Sequence, residues 1–418
     1  MDQQVETVIV GAGQAGLALS RRLRDLDREH VLLERGEVAQ RWRAERWDSF
    51  SLLTPSWHTR LPGHRYTGDD PDGFLAKGEV VDMFEQYAAS FAAPVETGVT
   101  VEAATPLDDG TWRVATDRGT WSARNVVVAT GHCDRPNIPA VASALSPEVE
   151  QLPVTRYRNP AALPDGGVLV VGSASSGQQV ARELAGAGRA VFLASGSHPR
   201  LPRTYRGRDV IWWMDRMGKL DETVDEVPDL AAAKRAPSLV LSGADGAHDL
   251  SLPALAAEGV HVVGRLVGVD GARATFADDV AATIEAADRR HDRFTAAVDE
   301  FVARTGIPAD VAEPRPQSVV PDAPTEMHLQ HAGISTVIWA TGFHRDFRWV
   351  HAPVFDAAGE PLQRRGVTVE AGLFFLGLRW MHRRKSSFID GVGDDATWLA
   401  QHLDCRARES FGADRLVA

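Results

Sequence analysis

Twice in this chain a short apolar run enters a glycine-rich turn, leaves it as a helix with an apolar stripe, and returns as a second apolar run. The first copy is residues 7–35, TVIVGAGQAGLALSRRLRDLDREHVLLER, and the second is residues 168–196, VLVVGSASSGQQVARELAGAGRAVFLASG. Strand, tight turn, helix and strand in this order make a right-handed βαβ unit with parallel strands. Parallel strands are covered on both faces, so the runs are continuously apolar instead of alternating. The expected fold class is α/β, with two Rossmann-like dinucleotide-binding domains.

The first turn carries Gly11, Gly13 and Gly16, with Gln14 and Ala15 between them. This spacing serves a pyrophosphate: the first glycine makes the turn, the second lets the backbone approach the phosphates, and the third lets helix pack on strand. The helix N-terminus then faces the anion. Glu34, followed by Arg35, stands 23 positions after Gly11 at the end of the next strand. A carboxylate there meets a free ribose 2′-hydroxyl.

The second turn reads Gly172, Ser173, Ala174, Ser175, Ser176, Gly177, with alanine in the middle glycine's place. The same offset of 23 positions lands on Ser195, and Arg200, Arg203, Arg206 and Arg208 follow. A hydroxyl near arginines suits a ribose 2′-phosphate, which arginine grips through paired charge-assisted hydrogen bonds. Arg200 is the expected phosphate ligand. The first turn thus reads as a site for an adenosine with a free 2′-hydroxyl, the second as a site for NADP.

The 418 residues exceed one ordinary core, so two or three globular units are expected. A formal net charge of -12 disfavours nucleic acid, whose binding begins with Lys and Arg on phosphates. No apolar run reaches the roughly 18 residues of a membrane span. The first strand begins almost at once, so no signal peptide is expected and the location is read as cytoplasmic. Cys133 and Cys405 are the only cysteines, and they lie far apart. That spacing excludes a disulfide framework, a zinc site and the CxxC pair that takes electrons from flavin in disulfide reductases. The 14 histidines are scattered, no metal cluster, catalytic triad or paired carboxylate stands out, and His58 reads as a polar loop residue.

Two shorter segments, VVVATGH at 126–132 and VIWATGF at 337–343, each place Ala-Thr-Gly after a buried-type strand and read as crossings between domains. Between them lie a helical pattern at 292–305 and a Pro-rich surface connection at 306–324. A further buried strand is expected within 373–378 and a closing amphipathic helix at 395–403.

Together these residues resemble the two-dinucleotide flavoproteins, and most closely the single-component, NADPH-dependent flavin-containing monooxygenases, the class B flavoprotein monooxygenases. The likeness is carried by the first fingerprint, the GxxxSG-type turn at Gly172–Gly177, the Thr130-Gly131 and Thr341-Gly342 segments, and LFFLGL at 373–378. It implies an FAD domain formed by both chain ends, residues 1–155 plus 336–418, with an NADPH domain of residues 156–335 inserted. It implies further that Trp42 and Trp47 pack beside FAD, that Leu53 and Thr54 approach the isoalloxazine, and that Val101 lies where the backbone meets adenine. Residues 383–396 are expected near the flavin end, with Phe388 or Asp390 lining a substrate cavity. The Baeyer–Villiger string that precedes the second turn in part of this family is missing, since residues 150–160 read EQLPVTRYRNP. Lactone-forming chemistry is disfavoured.

The resemblance implies a reaction in which NADPH reduces FAD and oxygen adds to give a flavin hydroperoxide. One oxygen atom then passes to a nitrogen, sulfur or carbon centre of a small organic substrate. No side chain is assigned a catalytic role, because the cofactor carries the chemistry. Two other readings stand beside it: an NADPH dehydrogenase or reductase passing electrons to a quinone or other acceptor, and a flavin-binding sensor.

Overall fold

The computed structural model describes residues 2–244 and 248–416. In chain order its framework is β1 (Asp2–Val10), α1 (Gln14–Asp25), β2 (His30–Glu34), β3 (Val95–Thr97), β4 (Gly119–Val128) and β5 (Glu150–Pro153). There follow β6 (Gly167–Val171), α2 (Ser175–Gly186), β7 (Val191–Ala194), β8 (His261–Val263), α3 (Val280–Thr305), β9 (Ile334–Trp339), β10 (Leu373–Phe375) and α4 (Val392–Leu416).

Two sheets carry the molecule. The first has a parallel core in the order β10-β4-β1-β2-β3, extended by antiparallel strands Val101–Pro106 and Trp112–Thr116 beside β4. The second is wholly parallel, in the order β5-β9-β6-β7-β8. The orders are the same, with β6 standing for β1, β7 for β2, β8 for β3 and β9 for β4. The α/β class and the duplication expected from the two fingerprints are both present.

Only the fifth strand is recruited differently. β5 enters the second sheet just ahead of its glycine turn, whereas β10 joins the first sheet after the chain has returned from the second. The Ala-Thr-Gly segments lie where the chain passes between sheets. There Phe343 pairs with Pro136 and His344 with Arg135, and the Asn137 N–H donates to Gly342 O at 2.9 Å. The two passages form one short ribbon.

Strand burial follows from this layering. All residues of β2 and β6 are buried, as parallel strands between helices require. Ile9, Leu32, Val127 and Phe374 of the first sheet share one packed cluster with Val168, Leu193 and Ile338 of the second and with Val180 of α2. Burying each such side chain contributes roughly 1.5–3 kcal/mol. At the far end α4 lies on α1, where Arg22 Nε donates to Thr397 Oγ1 at 2.9 Å and Arg28 Nε to Asp404 Oδ1 at 2.7 Å.

Two helices are longer than their apolar spacing predicts. α3 begins at Val280, ahead of the expected 292–305, and α4 continues past 403 to Leu416. Residues 306–325 hold no regular element and run along α3, where Arg315 binds Asp288 at 3.0 Å and Asp292 at 2.8 Å. Among the described residues, no helix is long and apolar enough to cross a membrane, and no cluster of three metal-ligating side chains occurs.

Candidate functional site

The two glycine turns are superimposable in their backbone logic. Gly11 and Gly172 both have φ near 107°, a left-handed conformation that glycine adopts freely. A Cβ on Gly16 would stand 1.9 Å from Gly11 O, and one on Gly177 would stand 1.8 Å from Gly172 O. Each third glycine is therefore demanded by helix–strand contact. Gly13 and Ala174, the N-caps of α1 and α2, are both extended, and neither makes a side-chain capping bond. Among the described residues no side chain caps the first turn of either helix, the arrangement in which a helix N-terminus can accept an anion. Alanine is accommodated at 174 because φ is -74°, a value any residue adopts.

At the strand ends the two units diverge. Glu34 is buried, its Oε2 accepting the Ala12 N–H at 2.8 Å and its Oε1 the Gly36 N–H at 3.2 Å. Val99 N donates to Glu34 O and Gly98 N to Gly36 O, which draws residues 97–101 across this strand end. Val101 opens the following hairpin and packs into the apolar cluster of Val5 and Trp112. Arg35 turns outward to Glu45 at 3.1 Å. Ser195, the counterpart of Glu34, is buried and, among the described residues, its Oγ has no hydrogen-bond partner. Ser173 Oγ accepts the Gly196 N–H at 3.0 Å, while Gln178 Nε2 donates to Ser173 O at 2.7 Å. Ser175 Oγ donates to Leu241 O at 2.9 Å, and Ser176 is half-buried in the first turn of α2.

The arginines after Ser195 are differently engaged from what their sequence position predicts. Arg200 is 7% exposed, bound by Asp288 of α3 and by Ser318 Oγ at 3.2 Å. Arg203 pairs with Asp209, donates to Leu53 O at 2.9 Å and lies 4.8 Å over the Phe74 ring. Arg206 binds Asp299 at 2.6 Å, and exposed Arg208 lies over Trp212. α3 supplies two of these carboxylates, so much of the patch's charge is already balanced within the fold. Sequence reasoning passed over Arg290 of α3, which donates to His198 O at 2.7 Å. Its signal was the spacing Ala282, Ala286, Arg290, one face of a helix at successive fourth residues.

The segment expected to reach a flavin is mostly aromatic packing. Trp42 stacks on Phe84 at 6.4 Å and tilts on Phe50 at 5.9 Å, and buried Trp47 meets Phe50 edge-on at 5.3 Å. Leu53 packs against Leu201, Ile211 and Met214, where the two units touch, with half-buried Thr54 next to it. Half-buried Thr130 precedes Gly131, and Thr341 Oγ1 donates to Asn137 O within the ribbon.

From the other chain end, residues 385–390 close over this region. Gln14 Nε2 donates to Ser387 O at 2.7 Å. Asp390 is bound by Arg60 and, at 3.3 Å, by Lys385, whose Nζ also meets Asp221 at 3.1 Å. His58 Nε2 lies 3.4 Å from Asp390 Oδ2. Burial holds His58 below the ordinary imidazole range against the pull of Asp390. Burial works to raise the Asp390 carboxyl, and His58, Arg60 and Lys385 outweigh it. Phe388 stands edge-on to the His58 ring at 6.5 Å. This constellation can bind or orient a polar group without itself being free of charge.

Against this geometry, residues 8–208 match the family model described as pyridine nucleotide-disulphide oxidoreductase. Over 406 residues the chain is 31% identical to a CzcO-like oxidoreductase of Geobacillus kaustophilus, covering 96% of this chain and 99% of that one. The chain belongs to the CzcO-like oxidoreductases. Among solved structures, the flavin-containing monooxygenase from Stenotrophomonas maltophilia is similar with a TM-score of 0.67 at 18% identity, over 97% of this chain and 100% of that one. A structure of OTEMO in complex with FAD and NADP is similar with a TM-score of 0.60 at 13% identity, over 97% and 86%. The CzcO-like chain is thus an oxidoreductase that shares its fold with flavin-containing monooxygenases, the resemblance its motifs carry.

Proposed function

We propose that this oxidoreductase binds FAD at the first turn and NADPH at the second, and inserts one oxygen atom from O2 into a small organic substrate by N-, S- or C-oxygenation. The observation that carries the reading is the divergence of two otherwise matched strand ends, carboxylate at Glu34 and unpartnered hydroxyl at Ser195. A carboxylate accepts from a ribose 2′-hydroxyl and repels a 2′-phosphate; a neutral serine hydroxyl does not repel the phosphate and can donate to it. The FAD unit is assigned to residues 1–155 plus 336–418 and the NADPH unit to residues 156–335.

When bound, FAD supplies hydride acceptance and oxygen activation. The chain supplies position and exclusion of water. The free N–H groups at Gly13 to Ala15 and at Ala174 to Ser176 hold the two pyrophosphates, and the glycines at 16 and 177 keep each helix close enough to do so. Glu34 orients the FAD ribose. Leu53, Thr54 and Phe388 cover the meeting of the two units, where water competes with transfer to substrate. His58 and Asp390 hold a buried polar edge there, suited to orienting a substrate heteroatom. Similarity to a flavin-containing monooxygenase and to a complex with FAD and NADP supports this reading.

The test uses the FAD-loaded protein, NADPH, ¹⁸O2 and two probes, a thioether and a tertiary amine, with products read by mass spectrometry. One ¹⁸O atom in a probe, at one NADPH per product, supports the proposal. NADPH consumption that a quinone accelerates, with no ¹⁸O in either probe, overturns it in favour of a reductase.

A further inference from the structure

We infer that Arg290 of α3, which reaches the loop after β7, is the side chain that recognises the coenzyme's 2′-phosphate, together with Ser195 at the end of that strand. The inference rests on the NADPH reading above and names the residues that choose NADPH over NADH.

Three independent features converge. First, a cavity of about 170 Å³ lies between the loop after β7 and α3, lined by Ser197, His198, Ala282, Thr283, Ala286 and Arg290. Ala282, Ala286 and Arg290 recur at every fourth residue, so one helix face offers two small side chains and then a guanidinium. Second, Ser195, two residues ahead of that lining in the chain, is 3% exposed and its Oγ has no partner among the described residues. Buried hydroxyls are satisfied as a rule, so this one is built for a group that arrives. Third, Arg290 spends one donor on His198 O at 2.7 Å and, among the described residues, meets no carboxylate. Arg200, Arg203 and Arg206 are each paired with an aspartate.

Charge decides between these arginines. A phosphomonoester carries about -1.5 to -2 charges at pH 7. It gains most from a guanidinium that is not yet neutralised and that still offers its forked donors. Asp288, which holds Arg200, would stand against an added anion. The bond from Arg290 to the carbonyl of His198 fixes the guanidinium at the loop that a ribose on β7 must reach. His198 Nδ1 lies 2.8 Å from Gly196 O, which holds the same loop in place.

The experiment is calorimetric titration of the FAD-loaded protein with NADP⁺, NAD⁺, 2′-phospho-AMP and AMP. Wild type is expected to bind each 2′-phosphorylated ligand far more tightly than its partner. Arg290→Gln should weaken the phosphorylated ligands by about 10- to 100-fold and leave NAD⁺ and AMP unchanged, the range expected for hydrogen bonds to a charged group. Ala286→Asp, which sets a carboxylate one turn from Arg290, should do the same without removing it. Preference intact in both variants overturns the inference, as does its loss in Arg200→Gln alone. A wild type that binds NAD⁺ and NADP⁺ equally defeats the NADPH reading itself, whatever the variants do.

Discussion

The side-chain amide of Gln14 donates to the carbonyl of Ser387 at 2.7 Å, so the first turn of the first helix holds the loop that leads into the last. Within that loop Ser386 Oγ accepts the N–H groups of His382 and Arg383 at 3.1 and 3.0 Å. The buried carboxyl of Asp395 lies against the same serine. The first glycine turn and the C-terminal loop are therefore one mechanical unit, and four measurements probe it and its surroundings.

Asp395 is pushed up to about 6, chiefly by burial. The folded state holds this proton more tightly than the unfolded chain does. The stability it contributes is full below the ordinary aspartate range and falls as pH rises through about 6. A rise of that size is worth about 3 kcal/mol. Asp395→Asn, neutral throughout, should melt close to the parent's temperature at pH 4, gain on it as pH rises through about 6, and stay a few degrees above it at pH 8. A difference that does not change with pH would refute this account of the carboxyl.

Glu34 already accepts two backbone N–H groups, which fixes its carboxylate, and under the proposed function that carboxylate receives the FAD ribose. Glu34→Ala should weaken FAD binding by about 10- to 100-fold, in line with loss of charge-assisted hydrogen bonds. The ratio of flavin absorbance to protein after desalting reports it. NADP⁺ affinity should change less than about twofold, and equal loss of both cofactors would show that Glu34 serves the fold and not a site.

Gly177→Ala forces a Cβ to within 1.8 Å of a carbonyl oxygen, and only backbone movement relieves it. Such overpacking costs about 1–3 kcal/mol. The variant should melt earlier, retain FAD, and lose measurable NADP⁺ binding by calorimetry. Retained NADP⁺ affinity would place the coenzyme elsewhere than on α2.

Cys133 follows directly on the first crossing. Burial works to raise its thiol, but His132, Arg46 and Arg41 bring it down to about 7. Alkylation by iodoacetamide at Cys133, followed by peptide mass spectrometry, should rise with a midpoint near that pH. His132→Ala should move the midpoint upward. A midpoint that ignores the histidine would remove it as the cause.

Much of the fold was legible because phosphates impose spacing on a chain. Gly11, Gly16, Gly172 and Gly177 announce both βαβ units, and the strands next to them are too apolar to be anything but buried. What the sequence could not announce depends on long-range pairing. Nothing in LFFLGL says that Leu373 pairs with Val126 in the first sheet. Nor does the arginine string after Ser195 reveal that Asp288 takes Arg200, because ion pairs across 88 positions follow no periodicity. The start of α3 was missed because its leading turns are alanine-rich and only partly apolar. The sequence places Trp42 and Trp47 only through a resemblance, and the partners they pack on, Phe50 and Phe84, carry no signal in their spacing.

The recruitment of β10 has a consequence for the chain as it is made. Its partner strand β4 ends at Val128, and β10 begins at Leu373, about 245 residues later. At roughly 5–20 residues per second a ribosome needs about 12–50 s to deliver it. For that interval the edge of β4 at Val126–Val128 stays without its final neighbour while the whole second sheet emerges. The nascent protein thus carries an open strand edge through most of its synthesis, and its yield should depend on how well the cell shields that edge.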